Sequence, residues 1–228
     1  MDWSQIDLGI LHFFNGSDNI ALDDIVVSLT NGFVWIPLFL SLIYLIIKNN
    51  ETMAQIMLAI GGAILCVLVT DGIDDGIVKP MIGRLRPLND PMVRMSLDLV
   101  SGVSERSFSF FSAHAANTMG IAVFFCWLVR SRMVGFLLVS WSLINCWTRL
   151  YLGVHYPSDI LVGIICGALV GSLVYFLYRK LYFKISPKLH YVSTQYTKTG
   201  YDYNDIDVVM VVTTLTLLVI VVKSVIVF

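Results

Sequence analysis

Charge is what this chain has least of. Asp, Glu, Lys and Arg make up 14% of its 228 residues, against about a quarter in an ordinary soluble domain. With 57% hydrophobic residues and a mean hydropathy of +0.79, too few polar side chains remain to cover a water-facing surface. The class is therefore integral membrane protein. Net charge is −1, so the basic excess that nucleic acid requires is missing. Cysteine is sparse as well. Cys66, Cys126, Cys146 and Cys166 each stand alone in an apolar stretch. Their spacing excludes a metal clip or a redox pair and suits small buried apolar side chains. No Lys or Arg precedes Lys48, so the start has no basic n-region and reads as lacking a cleavable signal peptide. Internal repeats, low-complexity tracts and the ten-residue alternation of a membrane β-barrel are also missing.

What is present is a set of long apolar runs. A span needs about 20 residues, and a backbone in lipid must satisfy its own hydrogen bonds, so the runs are expected to be helices. They fall at 32–47, 54–73, 114–130, 133–150, 158–178 and 207–228, which gives an all-α bundle of six transmembrane helices. Residues 1–30 differ. Trp3, Ile6, Ile10, Phe13 and Phe14 recur at helical spacing, as do Leu22, Ile25, Val26 and Leu29, and Asn15-Gly16-Ser17 divides the two sets. Two amphipathic helices lying along the interface are expected here. The embedded domain then occupies 31–228.

Basic residues set the orientation. Lys48, Arg130, Arg132, Arg179, Lys180, Lys184, Lys188 and Lys198 fall in connections on one side, which places 48–53, 130–133 and 179–206 in the cytoplasm. The N-terminus, the 74–113 connection and the 150–157 turn then face outward.

The outward connections hold the unusual residues. The first carries Lys79-Pro80-Met81-Ile82-Gly83-Arg84-Leu85-Arg86-Pro87 and ends in Phe111-Ser112-Ala113-His114. The second carries Thr148-Arg149, then His155-Tyr156-Pro157-Ser158-Asp159. Lys79, Arg86 and Arg149 are three cations at one membrane edge, a set suited to a dense anion such as phosphate. Ser112 is a good N-cap, and the helix start behind it adds free N–H donors and a favourable dipole. His114 lies in that first turn. Pro157 suits the first position of the next helix. Asp159, four residues after His155, is placed to bond its imidazole, fixing one nitrogen and freeing the other to attack. His12 and His190 look remote. The acids form no paired-carboxylate cage, and the three cations already supply the positive charge a metal would bring.

Lys-x6-Arg-Pro, then Ser-x-His, then Arg-x5-His-x3-Asp, in this order, resembles the type 2 phosphatidic acid phosphatase superfamily, which shares its catalytic core with vanadium-dependent haloperoxidases. The resemblance implies that Lys79, Arg86 and Arg149 bind phosphoryl oxygens, helped by Ser112 and the Ala113 N–H. It implies that His114 protonates the leaving group, that His155 becomes a phosphohistidine and that Asp159 orients it. Two departures are visible. Ala113 stands where the family often has Gly, which adds a Cβ but keeps the N–H. Thr148 stands where Ser is common, and keeps the hydroxyl. The expected activity is metal-independent, cofactor-free hydrolysis of a lipid phosphate or diphosphate at the outer face of a bacterial inner membrane. Undecaprenyl or another polyprenyl diphosphate leads, because Arg84, Arg94 and Arg106 are cations beyond the three needed for one phosphate. Phosphatidylglycerol phosphate, phosphatidic acid and a lipid A phosphate are the alternatives. The rival readings are a vanadate-dependent peroxidase, a phosphatase for a soluble sugar phosphate, and a transporter or scaffold keeping a phosphate pocket. Partners are substrate and bilayer; oligomeric state is left open.

Overall fold

The computed structural model describes residues 3–185 and 194–226; Lys188, His190, the end of the last expected span and the side chain of Trp3 lie outside the described residues. Helices account for every named element: α1 (Trp3–Phe14), α2 (Ile20–Thr30), α3 (Ile36–Lys48), α4 (Met53–Ile73), α5 (Lys79–Ile82), α6 (Ala113–Val129), α7 (Arg132–Tyr151), α8 (Pro157–Ile185) and α9 (Tyr203–Ile226). The helix starts carry capping signals, and those at Ser112 and Pro157 are the expected ones. Thr52 and Gln55 form a reciprocal capping box on α4, Ser112 caps α6, and Pro157 opens α8.

The helices that begin at Met53, Arg132, Pro157 and Tyr203 are long and apolar enough to cross a bilayer, and α2 with α3, bent by 68° at their junction, would make a fifth. The expected first span at 32–47 corresponds to Gly32–Lys48, which reaches spanning length only together with α2 across that bend. A 3₁₀ turn over Gly32–Trp35 precedes α3, and the 13 residues of α3 rise only about 20 Å. The remaining expected span, α6, has 17 residues. It packs against α4, α7 and α8 in the middle of the bundle.

Small residues set the closest helix contact. Gly163, Gly167 and Gly171 make a small-xxx-small stripe on α8 against α6. A Cβ at Gly163 would lie 2.7 Å from the Ser112 carbonyl oxygen, at Gly167 2.2 Å from that of Ala116, and at Gly171 2.4 Å from that of Gly120. Such stripes let helix backbones touch in lipid. Here they bring the beginning of α6, with His114, against the beginning of α8, with Asp159; the Ser112 N–H donates to the Asp159 carbonyl at 3.1 Å.

The N-terminal helices are seated on the bundle. On α1, Ile6, Ile10 and Phe13 are exposed while Leu11 is fully buried. The side docked on the protein therefore carries Asp7, Leu8 and Leu11, opposite the apolar stripe read from the sequence. On α2 the apolar face turns to the protein: Val26 and Leu29 are buried, and the helix packs on α7 and α9. Trp141, Tyr151 and Tyr156 are buried. The two tyrosine hydroxyls find partners inside the protein, from Tyr151 to Asp23 at 2.6 Å and from Tyr156 to Asp90 at 3.4 Å, so water is not needed there.

Candidate active site

The second motif is built at a helix–turn–helix corner. Arg149 lies in the last turn of α7. Gly153 then takes a left-handed conformation, φ +62°, which L side chains resist, and its carbonyl accepts from the Leu88 N–H at 3.1 Å. That bond ties the corner to the first motif. The tight return puts His155 between Arg149 and Asp159.

His155 is 1% exposed. Its Nε2 accepts from Arg86 Nη1 at 3.1 Å. Its Nδ1 faces Asp159 Oδ2 at 3.7 Å and Ser109 Oγ at 3.5 Å. Because an arginine only donates, Nε2 carries the lone pair and the proton is assigned to Nδ1, on the Asp159 side. The Asp159 contact is an ion-pair distance, longer than a hydrogen bond, and Ser109 donates to the same carboxylate oxygen. Burial lowers the His155 pKa to about 4; Asp159 pulls it up, and Arg86 and Arg149 push it further down. The ring is neutral at neutral pH, as a nucleophile must be.

Arg86 is pinned from the loop side: Nε and Nη2 donate to the carbonyl and hydroxyl of Ser107 at 2.9 and 2.8 Å, and Nη1 reaches the Val154 carbonyl at 3.3 Å. Arg149 donates to Thr30 Oγ1 of α2 at 2.7 Å. Both guanidiniums converge on Glu105, Arg149 at 3.0 Å and Arg86 at 3.7 Å. Partial burial alone would favour a protonated Glu105, but Arg86 and Arg149 outweigh it and hold the carboxyl below the usual glutamate range, with His114 adding to the same field. An anion position between two arginines is thus present, one of them also bonded to the His155 lone pair, and Glu105 occupies it.

Other site residues fall less simply. His114 is half-buried in the first turn of α6, and Ala113 is its first residue, whose N–H lacks a partner within the helix. Ser112 Oγ accepts from the Ala115 N–H at 3.5 Å, so its hydroxyl is engaged in the cap. Lys79 is not drawn to Glu105; it pairs with Asp74 and Asp75 at 2.7 Å each, where a π-helical turn over Asp74–Val78 extends α4. Arg84, read from the sequence as a spare cation, is paired with Asp159 Oδ1 at 2.7 Å and Asp7 Oδ2 at 2.8 Å, because the long first connection folds back over the start of α8. Arg94 and Arg106 are exposed. Asn117 bonds Asp71 at 2.7 Å, Thr118 bonds Ser142 at 2.8 Å and Asn145 its own helix. Sequence reading missed Asp7, Thr30, Glu105, Ser107 and Ser109. Glu105 alone left a signal, since Glu51 and Glu105 are the chain's glutamates and only Glu105 lies between the motifs.

Residues 53–183, which include this corner, match the PAP2 superfamily model. The chain belongs to the PAP2 superfamily and is a membrane lipid phosphatase, a phosphoric monoester hydrolase. It is similar to the lipid A 4'-phosphatase of Bacteroides thetaiotaomicron, 36% identical over 180 residues that cover 78% of this chain and 79% of the relative. The lipid A 4'-phosphatase of Porphyromonas gingivalis is 24% identical over 76% of this chain and 73% of its own. In fold it resembles the crystal structure of a transmembrane PAP2-type phosphatidylglycerolphosphate phosphatase from Bacillus subtilis, with TM-score 0.58 and 23% identity, covering 82% of this chain and 89% of that one.

Proposed function

We propose that this chain removes a phosphate monoester from a lipid A-like glycolipid, the 4'-phosphate of an acylated disaccharide, through a phosphohistidine at His155. The observation that carries the chemistry is the Arg86–Glu105–Arg149 arrangement beside the His155 lone pair. The likeness to two lipid A 4'-phosphatases supports the headgroup. A phosphoryl group would take the arginine donors from Glu105. In the first step the His155 Nε2 lone pair attacks phosphorus, the P–O bond to the sugar breaks, and His114, protonated beside the incoming dianion, gives its proton to the sugar oxygen. In the second step water attacks phosphorus, His114 takes a proton from that water, and the N–P bond breaks to release phosphate. Asp159 stabilises the Nδ1–H tautomer throughout. Lys79 closes on the phosphate only by exchanging one carboxylate partner for a phosphoryl oxygen. Ser112 and the Ala113 N–H hold the start of α6 beside it.

A cavity of about 230 Å³ adjoins this site. It includes Asn89 and Arg94 in its lining, and Asn89 also holds the Glu105 carbonyl at 2.6 Å. That is room for part of a headgroup larger than phosphate. A polyprenyl diphosphate is the second reading, favoured by exposed Arg94 and Arg106 but weakened by the commitment of Arg84 to two carboxylates. We place the site at the outer face of a bacterial inner membrane, with the exposed apolar side of α1 in the same leaflet, because the basic far-end connections obey the positive-inside bias.

The test is a substrate panel in detergent with EDTA: bisphosphorylated lipid A, undecaprenyl diphosphate, phosphatidylglycerol phosphate and phosphatidic acid. The highest kcat/KM is expected for lipid A, with mass spectrometry showing loss of the 4'-phosphate. A preference for the diphosphate, lost in Arg94→Ala or Arg106→Ala, would replace this reading with the second.

A further inference from the structure

Arg84 stands at an unspecified position inside Lys-x6-Arg-Pro and Asp7 lies outside every motif, yet Arg84 meets the carboxylate that faces the nucleophile and Asp7 meets Arg84. Arg84 Nη1 donates to Asp159 Oδ1 at 2.7 Å and to Ser158 Oγ at 2.8 Å. Its Nη2 donates to Asp7 Oδ2 at 2.8 Å. Its flat face lies on the Tyr156 ring, 3.7 Å from the centroid. Asp7 in turn accepts from the Ser158 N–H at 2.8 Å and from the Ser158 hydroxyl at 2.6 Å. So α1, at the opposite end of the sequence, caps the start of α8 and holds one tine of the Arg84 fork.

We propose that Asp7 and Arg84 are positioning residues for phosphoryl transfer, acting through Asp159 on His155. Asp159 is completely buried, so no water can neutralise its Oδ1; Arg84 is that oxygen's cation. Oδ2 meanwhile accepts from the Tyr156 N–H at 3.0 Å and from Ser109, and faces His155 Nδ1 at 3.7 Å. Removing the guanidinium leaves a buried carboxylate that must rotate or take up a proton. Either change moves what Oδ2 presents to the imidazole and frees the ring to adopt the wrong tautomer. A lysine cannot reproduce the effect, because one ammonium does not span two carboxylates in a plane or lie flat on Tyr156. Asp7 sets the other end of the fork, so the N-terminal helix is part of the catalytic geometry.

This rests on His155 being the nucleophile. The test uses the full chain in detergent with para-nitrophenyl phosphate, a probe that does not depend on which lipid is native. Arg84→Lys and Asp7→Asn are each expected to lower kcat about 100-fold, the cost of a small misplacement of a reacting group, while KM and vanadate inhibition stay within about 3-fold because Arg86 and Arg149 are untouched. Labelling of His155 by ³²P-phosphate substrate should slow in parallel. The double variant should be no worse than Arg84→Lys alone, because both cut one link. An unchanged kcat per folded molecule, measured below each variant's unfolding temperature, overturns the proposal, as does a rise in KM at constant kcat. Should Arg84→Lys fail to fold, Asp7→Asn carries the test. Turnover surviving in His155→Ala would sink the nucleophile itself. A dead His155→Ala with full kcat in Asp7→Asn would sink only the positioning role.

Discussion

The two ends of the bundle use basic residues in opposite ways. At the far end Lys48, Arg130, Arg132, Arg179, Lys180, Lys184 and Lys198 are all exposed, and the packing there is aromatic: Trp127 stacks on Tyr175 and Tyr175 on Tyr178. Hydrogen bonds finish it, such as Thr199 to the Val129 carbonyl at 2.8 Å and Tyr44 to Asp205 at 2.9 Å. At the catalytic end Lys79, Arg86 and Arg149 are buried, and each has a carboxylate. A solvated cation responds to the membrane and can be counted for orientation; a buried cation with a fixed counter-ion responds to its partner and to whatever anion replaces that partner.

The comparison breaks most sharply at the nucleophile. His155→Ala should lower phosphate release by at least about 10⁴-fold, as loss of an activated nucleophile does, and should abolish acid-labile label on histidine; substantial turnover would move the chemistry elsewhere. Next come the cations themselves. Arg149→Ala is expected to reduce kcat/KM by about 10²–10³-fold, whereas Arg179→Ala at the far end should change it less than about 2-fold. Equal losses at both ends, with folding intact, would erase the distinction. Gly167→Ala probes the scaffold that unites α6 and α8. Its Cβ meets backbone, so a destabilisation of about 1–3 kcal/mol is expected, read as a lower unfolding temperature.

Glu105→Gln should go the other way. With the competing carboxylate gone, KM and the vanadate inhibition constant should fall about 5- to 10-fold through lost like-charge repulsion. A weaker grip on vanadate would show that Glu105 supports the arginines and does not compete for them. The smallest effect is in pH. The folded His155 pKa of about 4 lies below its ordinary 6.5, so between those values the unfolded chain binds the extra proton. Stability from this group is complete above pH 6.5 and declines as pH falls toward 4. Glu105 is held below its ordinary 4.5, so its contribution is lost only at lower pH. The slope between pH 6.5 and 4.5 should therefore flatten in His155→Asn, as followed by unfolding temperature.

Much of this was legible early. Five of the six expected spans map onto α4, α6, α7, α8 and α9 within a few residues at most ends, because apolar runs in lipid have no alternative to helix. The sixth, 32–47, matches Gly32–Lys48, but its bent junction with α2 was not legible, because that bend depends on what α2 packs against. The docked side of α1 was not legible for a related reason. Its larger apolar side is exposed, and its docking side is chosen by Asp7, whose partners Arg84 and Ser158 cannot be guessed from helical periodicity. His155, Arg149 and Asp159 were placed correctly around one corner because they sit within eleven residues of sequence and a single turn joins their helices.

By itself the sequence determined a helical membrane protein and the spacing that gathers Arg149, His155 and Asp159 at one corner, since composition fixes the solvent and short spacings fix which side chains share a turn. The partners of those side chains were decided only by tertiary structure. Asp7 and Ser158 are 151 residues apart, Arg149 and Thr30 119, and Arg149 and Glu105 44. No local pattern encodes such pairs; they form because the α8 glycines let α6 close in, because α1 and α2 dock on the bundle, and because a buried charge must end beside an opposite one.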